Sequence, residues 1–275
     1  MILQTQAIVL QIRPWSKTSH MVTWLTPDHG KIVTSVKGAC RPKSAFLGQY
    51  DLFYTCDLHF YRREHDGVHA IRECAPFRLR EPLRRQWRRA AVATYLTDLT
   101  ARVTLDHQDS SALFTLLGQT LDRLSDDPEL PLLELVLWYE THLLRLLGVL
   151  PDFTLCPICH TSDRPWLRFS LPAGRFLCQH LAPLQPGEAT MPIHRGVQTL
   201  FLEFCRREKP PENDHDFDRV ARKKNDAESN LRFGLSRFLG MFMVFHLDVP
   251  SAIRRITLEM VDSTLTQNSA LLETT

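Results

Sequence analysis

Residues 50–61 read YDLFYTCDLHFY, and the alternation in that stretch decides the fold class. Leu52, Tyr54, Cys56, Leu58 and Phe60 recur at every second position, with Asp57 and His59 between them, the pattern of a strand with one buried face. Downstream, Asp66-Gly67 supplies a tight turn into VHAIREC at 68–74, so the two runs predict a hairpin. Upstream, KIVTSVK at 31–37 places Ile32, Thr34 and Val36 on one face and Lys31, Val33, Ser35 and Lys37 on the other. HMVTWLT at 20–26 alternates more weakly, and in QAIVLQI at 6–12 Ile8, Leu10 and Ile12 share a face. Pro27-Asp28-His29-Gly30 turns the chain between the second and third runs. Five short strands, expected to be antiparallel, are the inventory of a small closed barrel, and the OB-fold is the commonest such barrel that binds nucleic acid.

After Pro82 the period becomes helical. Trp87, Ala91, Tyr95 and Leu99 repeat at about one turn; Leu113, Leu116, Leu117, Leu121 and Leu124 follow a cap at Asp109 or Ser110; Pro131 opens a helix that Gly148 closes. Residues 151–192 interrupt this with prolines, cysteines and short strand-like pieces such as WLRFSL and RFLC. Helical spacing resumes at VQTLFLEFCRR (197–207), breaks in KPPENDHDFD (209–218) and returns at NLRFGLSRFLGMFMVFHL (230–247). The class is therefore α+β, in four parts: a barrel over 1–80, helices over 81–150, a cysteine-bearing β insertion over 151–192, and helices with a polar tail over 193–275. The last long helix carries Phe233, Phe238, Met241, Phe242, Met243 and Phe245, wider than one stripe requires; buried core and a groove for a partner segment are both open readings.

A chain of 275 residues with a net charge of +2 looks balanced, yet its charges are segregated. Residues 1–50 hold six cations (Arg13, Lys17, Lys31, Lys37, Arg41 and Lys43) against one acid, Asp28. Six arginines between Arg78 and Arg89 face only Glu81, whereas residues 106–140 hold eight acids against Arg123 alone. A basic N-terminal third suits a polyanion, because each neutralised phosphate releases counterions. Solvated faces of mixed charge are the plainer reading. Arg84, Arg85, Arg88 and Arg89 either extend a basic groove or pair with the acidic segment. The start of the chain has neither the basic region nor the apolar run of a signal peptide, and no stretch suits a membrane span, so a cytoplasmic protein is expected.

The loop KGACRPKS at 37–44 ends in Lys-Ser like a nucleotide-binding phosphate loop, but Pro42 and Lys37 stand where that motif needs glycines, and Pro42 has no N–H to donate. What remains is a cluster of cations without the geometry for nucleotide chemistry. Trp15, Trp24, Phe46, Tyr50 and Phe53 lie among these charges and could stack bases if exposed. Trp24 and Phe53 are expected in the core; Trp15 and Phe46 are left open. The chain has no G-x-S-x-G elbow, no Gly-rich dinucleotide loop and no H-x-E or H-E-x-x-H, so an enzyme is not expected.

Seven cysteines include one C-x-x-C, Cys156-Pro157-Ile158-Cys159. After eighteen intervening residues comes Cys178-Gln179-His180, a C-x-H. Three thiolates and an imidazole can close a tetrahedral structural zinc site. The alternatives are a hairpin with free thiols, or His160 or His194 as fourth ligand.

Several motifs together resemble one family. They are AIVL at 7–10, RPWSKTS at 13–19, LTPDHGK at 25–31, VKGACRPKS at 36–44, LGVLPDF at 147–153, the C-x-x-C hairpin, HL at 246–247 and SAIRR at 251–255. In this order they resemble the RecO family of bacterial recombination mediators. The resemblance implies an N-terminal OB-fold, a helical domain and a zinc-finger-like insertion, working without ATP or catalytic residues. It further implies binding to single- and double-stranded DNA, annealing of complementary strands, engagement of the acidic tail of the single-stranded-DNA-binding protein SSB, and work with RecR to load RecA. By position, the implied DNA contacts are Lys31, Lys37, Arg41 and Lys43, with Arg13 and Lys17 secondary. The implied finger falls on Cys156, Cys159 and Cys178, with His180 replacing a fourth cysteine whose place is held by Leu181. An SSB-tail pocket is expected near Arg232, Arg237, Arg254 and Arg255. Two other classes fit the same charges: an OB-fold RNA-binding factor and a protein-only adaptor.

Overall fold

The computed structural model describes residues 1–63, 67–106, 108–153, 166–177, 189–211 and 226–261. The chain divides into two compact units, Met1–Pro128 and Glu129–Thr275.

The first unit begins with β1 (Ile2–Ser16), β2 (Ser19–Thr26), β3 (Gly30–Val36), β4 (Thr55–Tyr61) and β5 (Val68–Arg78). They close into a barrel in the order β1-β2-β3-β5-β4, an OB-type arrangement. The turn expected at Asp66-Gly67 lies partly outside the described residues, and the strands it was read to join, β4 and β5, pair antiparallel. One pairing departs from the expected antiparallel strands: β3 and β5 run parallel, Val33 opposite Val68 and Ser35 opposite Ala70. That pairing closes the cylinder.

The alternation of the third and fourth runs holds. Ile32, Thr34 and Val36 are buried along β3, as are Tyr54, Cys56, Leu58 and Phe60 around β4, while Leu52 before the strand is exposed. β1 departs from the expected pattern. Its pairing with β2 shifts register between Val9 and Gln11, so the barrel core receives Ala7 and Val9 and then Ile12, whereas Ile8 and Leu10 are buried on the other face. A bulge inserts one residue and flips every later side chain, which a strict period of two cannot anticipate.

Both faces of β1 are therefore apolar, and the outer one needs a cover. The helices α1 (Pro82–Arg85), α2 (Trp87–Val103) and α3 (Ser111–Asp126) belong to the same unit, with α2 against β1 and α3 against β2. Gly118 on α3 faces Ile8, whose Cδ1 would lie in ordinary contact, 3.7 Å from an added Cβ. Arg80, itself buried, ties barrel to helix: its Nη1 donates to Phe53 O at 2.5 Å and Thr55 Oγ1 at 2.9 Å, and its Nε donates to Asp122 at 2.8 Å. Gly30 adopts φ +63°, and an added Cβ there would stand 2.5 Å from Leu105 O, so this turn position excludes any side chain.

The second unit contains α4 (Leu132–Leu146), β6 (Trp166–Ser170), β7 (Arg175–Leu177), β8 (Thr190–His194), α5 (Arg195–Arg206), α6 (Asp226–Leu247) and α7 (Ser251–Val261). The strands form one antiparallel sheet in the order β7-β6-β8. WLRFSL and RFLC become β6 and β7; β8 straddles the expected boundary at 192, and its alternation of buried Met191 and Ile193 with Pro192 was the missed signal. Phe153, Phe169, Phe201 and Phe238 pack in tilted and edge-to-face pairs at ring separations of 4.3–6.4 Å in the core of this unit. On α6, Phe238, Phe242 and Met243 are core, while Met241, Val244 and Phe245 are exposed. The broad apolar surface of this helix thus divides between core and solvent.

One buried ion pair crosses this unit. Glu140 on α4 is fully buried and accepts from Arg254 on α7 at 2.7 and 2.8 Å, with Ser236 Oγ 3.5 Å from the same guanidinium. Gly240 on α6 makes the path for it: an added Cβ would meet Arg254 Nη1 at 2.8 Å.

Candidate nucleic-acid interface

The end of the barrel that carries the cations is built by three neighbouring strands. Pro14 pairs with His20, which pairs with Val36, and Arg13 pairs with Met21 one step along. The hairpin Arg13-Pro14-Trp15-Ser16-Lys17-Thr18 and the loop that leaves β3 at Lys37 therefore emerge side by side. Two hydrogen bonds join them: Gly38 N–H donates to Ser19 Oγ at 3.2 Å, and Cys40 N–H donates to Thr18 O at 3.1 Å. The loop is then stiffened by successive turns, with Arg41 N–H donating to Gly38 O at 3.1 Å and Ser44 N–H to Arg41 O at 2.9 Å. Gly38, at φ +71°, lets the Arg41 side chain lie across it, Cδ being 3.3 Å from where a Cβ would be.

The structure thus brings Arg13, Lys17, Lys37, Arg41 and Lys43 to one end of the barrel, all five exposed. Arg13 donates to Gln11 Oε1 at 3.0 Å. Among the described residues, none of these five cations has a carboxylate partner within salt-bridge distance. Trp15 is 69% exposed at the hairpin tip beside them. The other aromatics are unavailable for stacking: Trp24 is fully buried with Nε1–H donating to Thr34 Oγ1 at 2.8 Å, Phe53 and Tyr50 are buried, and Phe46 packs against the barrel core.

Lys31 does not join this group. It begins β3, at the opposite end of the strand from Lys37, and its Nζ donates to Ala101 O at 3.0 Å with Asp106 at 3.8 Å. Strand geometry separates the two positions by roughly 20 Å. The lysine faces outward as its register requires, but it clamps β3 to the end of α2.

The arginine run is largely consumed within the unit. Arg78 pairs with Asp122 at 2.9 Å and Asp126 at 2.6 Å, Arg80 shares Asp122, Arg84 pairs with Asp51, and buried Arg89 donates to Leu124 O at 2.8 Å. Arg78 and Arg80 thereby neutralise carboxylates of α3 that would otherwise repel a polyanion. Arg84, Arg85, Arg88 and Arg89, for which pairing with the acidic segment was the alternative to a basic groove, make no salt bridge to that segment among the described residues. Arg85 and Arg88 are exposed, Arg88 lying over the Trp87 ring at 5.2 Å.

In the second unit the four arginines of the expected tail pocket have different fates. Arg254 is buried on Glu140 and closed to a ligand, because leaving the pair would strand a buried carboxylate. Arg232 pairs with Glu134 at 3.0 Å and Arg255 with Glu259 at 3.7 Å. Arg237 is exposed, and Met241, Val244 and Phe245 follow it on the same helical face. Cys156, Cys159, Cys178 and His180 lie outside the described residues, as does His160; His194 caps α5 by accepting from Gly196 N–H at 3.1 Å. Among the described residues no helix is long and apolar enough to cross a membrane.

Comparison with known proteins agrees with this architecture. Residues 1–80 match the family model described as "Recombination protein O N terminal", and residues 84–200 match "Recombination protein O C terminal". The chain is 31% identical over 249 residues to the DNA repair protein RecO of Alkaliphilus metalliredigens, covering 90% of this chain and 95% of that protein. It is 29% identical over 206 residues to the DNA repair protein RecO of Bacillus cytotoxicus, covering 74% and 79% of the two chains. With a closed OB-type barrel followed by helices, both family segments and a relative matched almost end to end, the chain belongs to the RecO family of DNA repair proteins.

Proposed function

We propose that this protein is a recombination mediator that binds single- and double-stranded DNA at the cationic end of its barrel, anneals complementary strands coated with SSB, and acts with RecR to promote RecA loading. The observation that carries the DNA-binding part is the joined pair of loops: five exposed cations, none facing a carboxylate among the described residues, with an exposed tryptophan at their edge. Such a face screens the repulsion between two phosphate backbones and leaves base edges free to pair. No step needs a nucleotide, and none depends on zinc at Cys156, Cys159, Cys178 and His180. Salt titration of wild-type protein with one oligonucleotide sequence, as DNA and as RNA, tests this. If four phosphates are neutralised, single-strand affinity falls roughly fiftyfold for a fourfold rise in salt. Preference for RNA would favour the RNA-binding class, which exploits 2′-hydroxyls. Salt-insensitive or absent binding would favour the adaptor.

The SSB tail, acidic with a terminal aromatic, fits the surface where exposed Arg237 stands beside Met241, Val244 and Phe245. Arg232 and Arg255 each have a carboxylate partner to exchange for the tail. Arg237→Glu is expected to weaken binding of the tail peptide on the order of tenfold, about 1.4 kcal/mol, as read by fluorescence anisotropy. Undiminished binding would remove the tail from this face.

A further inference from the structure

Cys40 sits in the middle of the cationic loop, exposed to solvent, and it is one member of a chain of three reactive groups. Its Sγ lies 3.2 Å from Nε2 of His20, and Nδ1 of the same ring lies 2.7 Å from the Tyr50 hydroxyl. The three come from separate places: β2, the loop after β3, and the segment before β4. Tyr50 is anchored in the barrel core, its ring edge-on to His20 at 6.1 Å, so the phenol is fixed where the imidazole meets it. Burial, reinforced by Cys40, Cys74 and Asp51, pushes the Tyr50 phenol far above its ordinary value, so it keeps an O–H to donate. Donated to Nδ1, that hydrogen bond leaves the imidazole proton on Nε2, directed at Sγ.

Other charged groups near this chain are Lys37, Arg41 and Lys43 in the same loop, and Asp51, which is held by Arg84. Cys40 differs from the other described cysteines. Cys56 and Cys74 are buried in the barrel with their thiols directed at Gln49 O, at 3.7 and 3.4 Å, and Cys205 is half-buried with its thiol pushed up by desolvation. Exposure, an imidazole N–H at hydrogen-bond distance and surrounding positive charge are together the environment in which a thiol reacts.

We propose that Cys40 is a modification site, a thiol set by His20 and Tyr50 to undergo exchange with anionic low-molecular-weight disulfides. The thiol releases its proton to solvent, and the Nε2–H hydrogen bond holds the thiolate as Sγ attacks one sulfur of RS–SR. The Sγ–S bond forms as the S–S bond breaks, and RS⁻ leaves and takes up a proton, so that Cys-SH and RSSR give Cys-S-SR and RSH. Lys37, Arg41 and Lys43 attract a disulfide that carries carboxylates. Once attached, the same carboxylates neutralise the loop and weaken its hold on phosphates. This consequence rests on the DNA-binding reading of the loop.

The test treats the full chain with oxidised glutathione at neutral pH and follows each cysteine by peptide-resolved mass spectrometry, alongside His20→Asn and Tyr50→Phe proteins of unchanged circular dichroism. Cys40 is expected to react on the order of tenfold faster in wild type than in either variant, and faster than Cys205. Equal Cys40 rates in all three proteins would overturn the site. DNA affinity should fall on modification, recover with dithiothreitol, and be insensitive to the disulfide in Cys40→Ser, which removes only the nucleophile. Fast modification with unchanged DNA affinity would overturn the switch. Fast modification of a protein that never bound DNA would uphold the site and sink the DNA-binding reading of the loop instead.

Discussion

Lys37→Glu combined with Arg41→Glu is expected to reduce affinity for single-stranded DNA on the order of a hundredfold at low salt, and to lower the log–log salt slope by about 1.4 as two phosphate contacts are lost. Both side chains are exposed on a loop held by backbone turns and by hydrogen bonds to the β1–β2 hairpin, and neither makes a salt bridge among the described residues. Their reversal should therefore leave the fold intact, and the loss should be the same for every sequence, because phosphates carry no sequence information. Lys31→Gln is the internal control. Its amine is engaged by Ala101 and Asp106 at the far end of β3, so the substitution should leave the salt slope unchanged. A slope reduced by Lys31→Gln and untouched by the double reversal would move the DNA face to the other end of the barrel.

The second large effect is expected in the helical unit. Arg254→Ala leaves the fully buried Glu140 carboxylate without its bidentate partner and should cost about 3–5 kcal/mol. That is a shift on the order of 10 °C in the unfolding of this unit. Replacing both partners with apolar residues, Glu140→Leu with Arg254→Met, removes the stranded charge and should recover most of the loss. Thermal denaturation of the single and double variants separates the two cases. If the double variant were as unstable as the single, the pair would contribute net stabilisation, not the avoidance of an unpaired charge.

The barrel was legible where one face is wet and the other dry. β3 and β4 alternate because Lys31, Ser35, Asp57 and His59 interrupt their apolar residues, and the structure keeps that pattern. β1 was not legible in the same way. Ala7, Ile8, Val9 and Leu10 are apolar in a row, so periodicity cannot say which pair faces the barrel, and the bulge after Val9 reverses the answer partway along. The parallel β3–β5 closure is a contact between distant runs that no local pattern encodes.

For the site, the sequence identified the cations but not their fates. Lys37 and Lys31 share a strand face in KIVTSVK, yet one ends the strand in an exposed loop and the other begins it beside a helix end. Arg254 and Arg255 are neighbours in SAIRR; the first is buried because Glu140, 114 residues earlier, lies opposite it, and the second reaches solvent. Such differences are tertiary. The Cys40–His20–Tyr50 chain was hidden for the same reason: its three residues are spread over positions 20–50 and meet only when the barrel closes.

The most direct test of the mediator reading is annealing of two complementary oligonucleotides, each coated with SSB, by the purified protein in the absence of any nucleotide. The wild-type protein should anneal them, and the folded Lys37→Glu/Arg41→Glu protein should not. Failure of the wild type, or full activity of the double variant, would contradict the claim that this loop end of the barrel joins DNA strands.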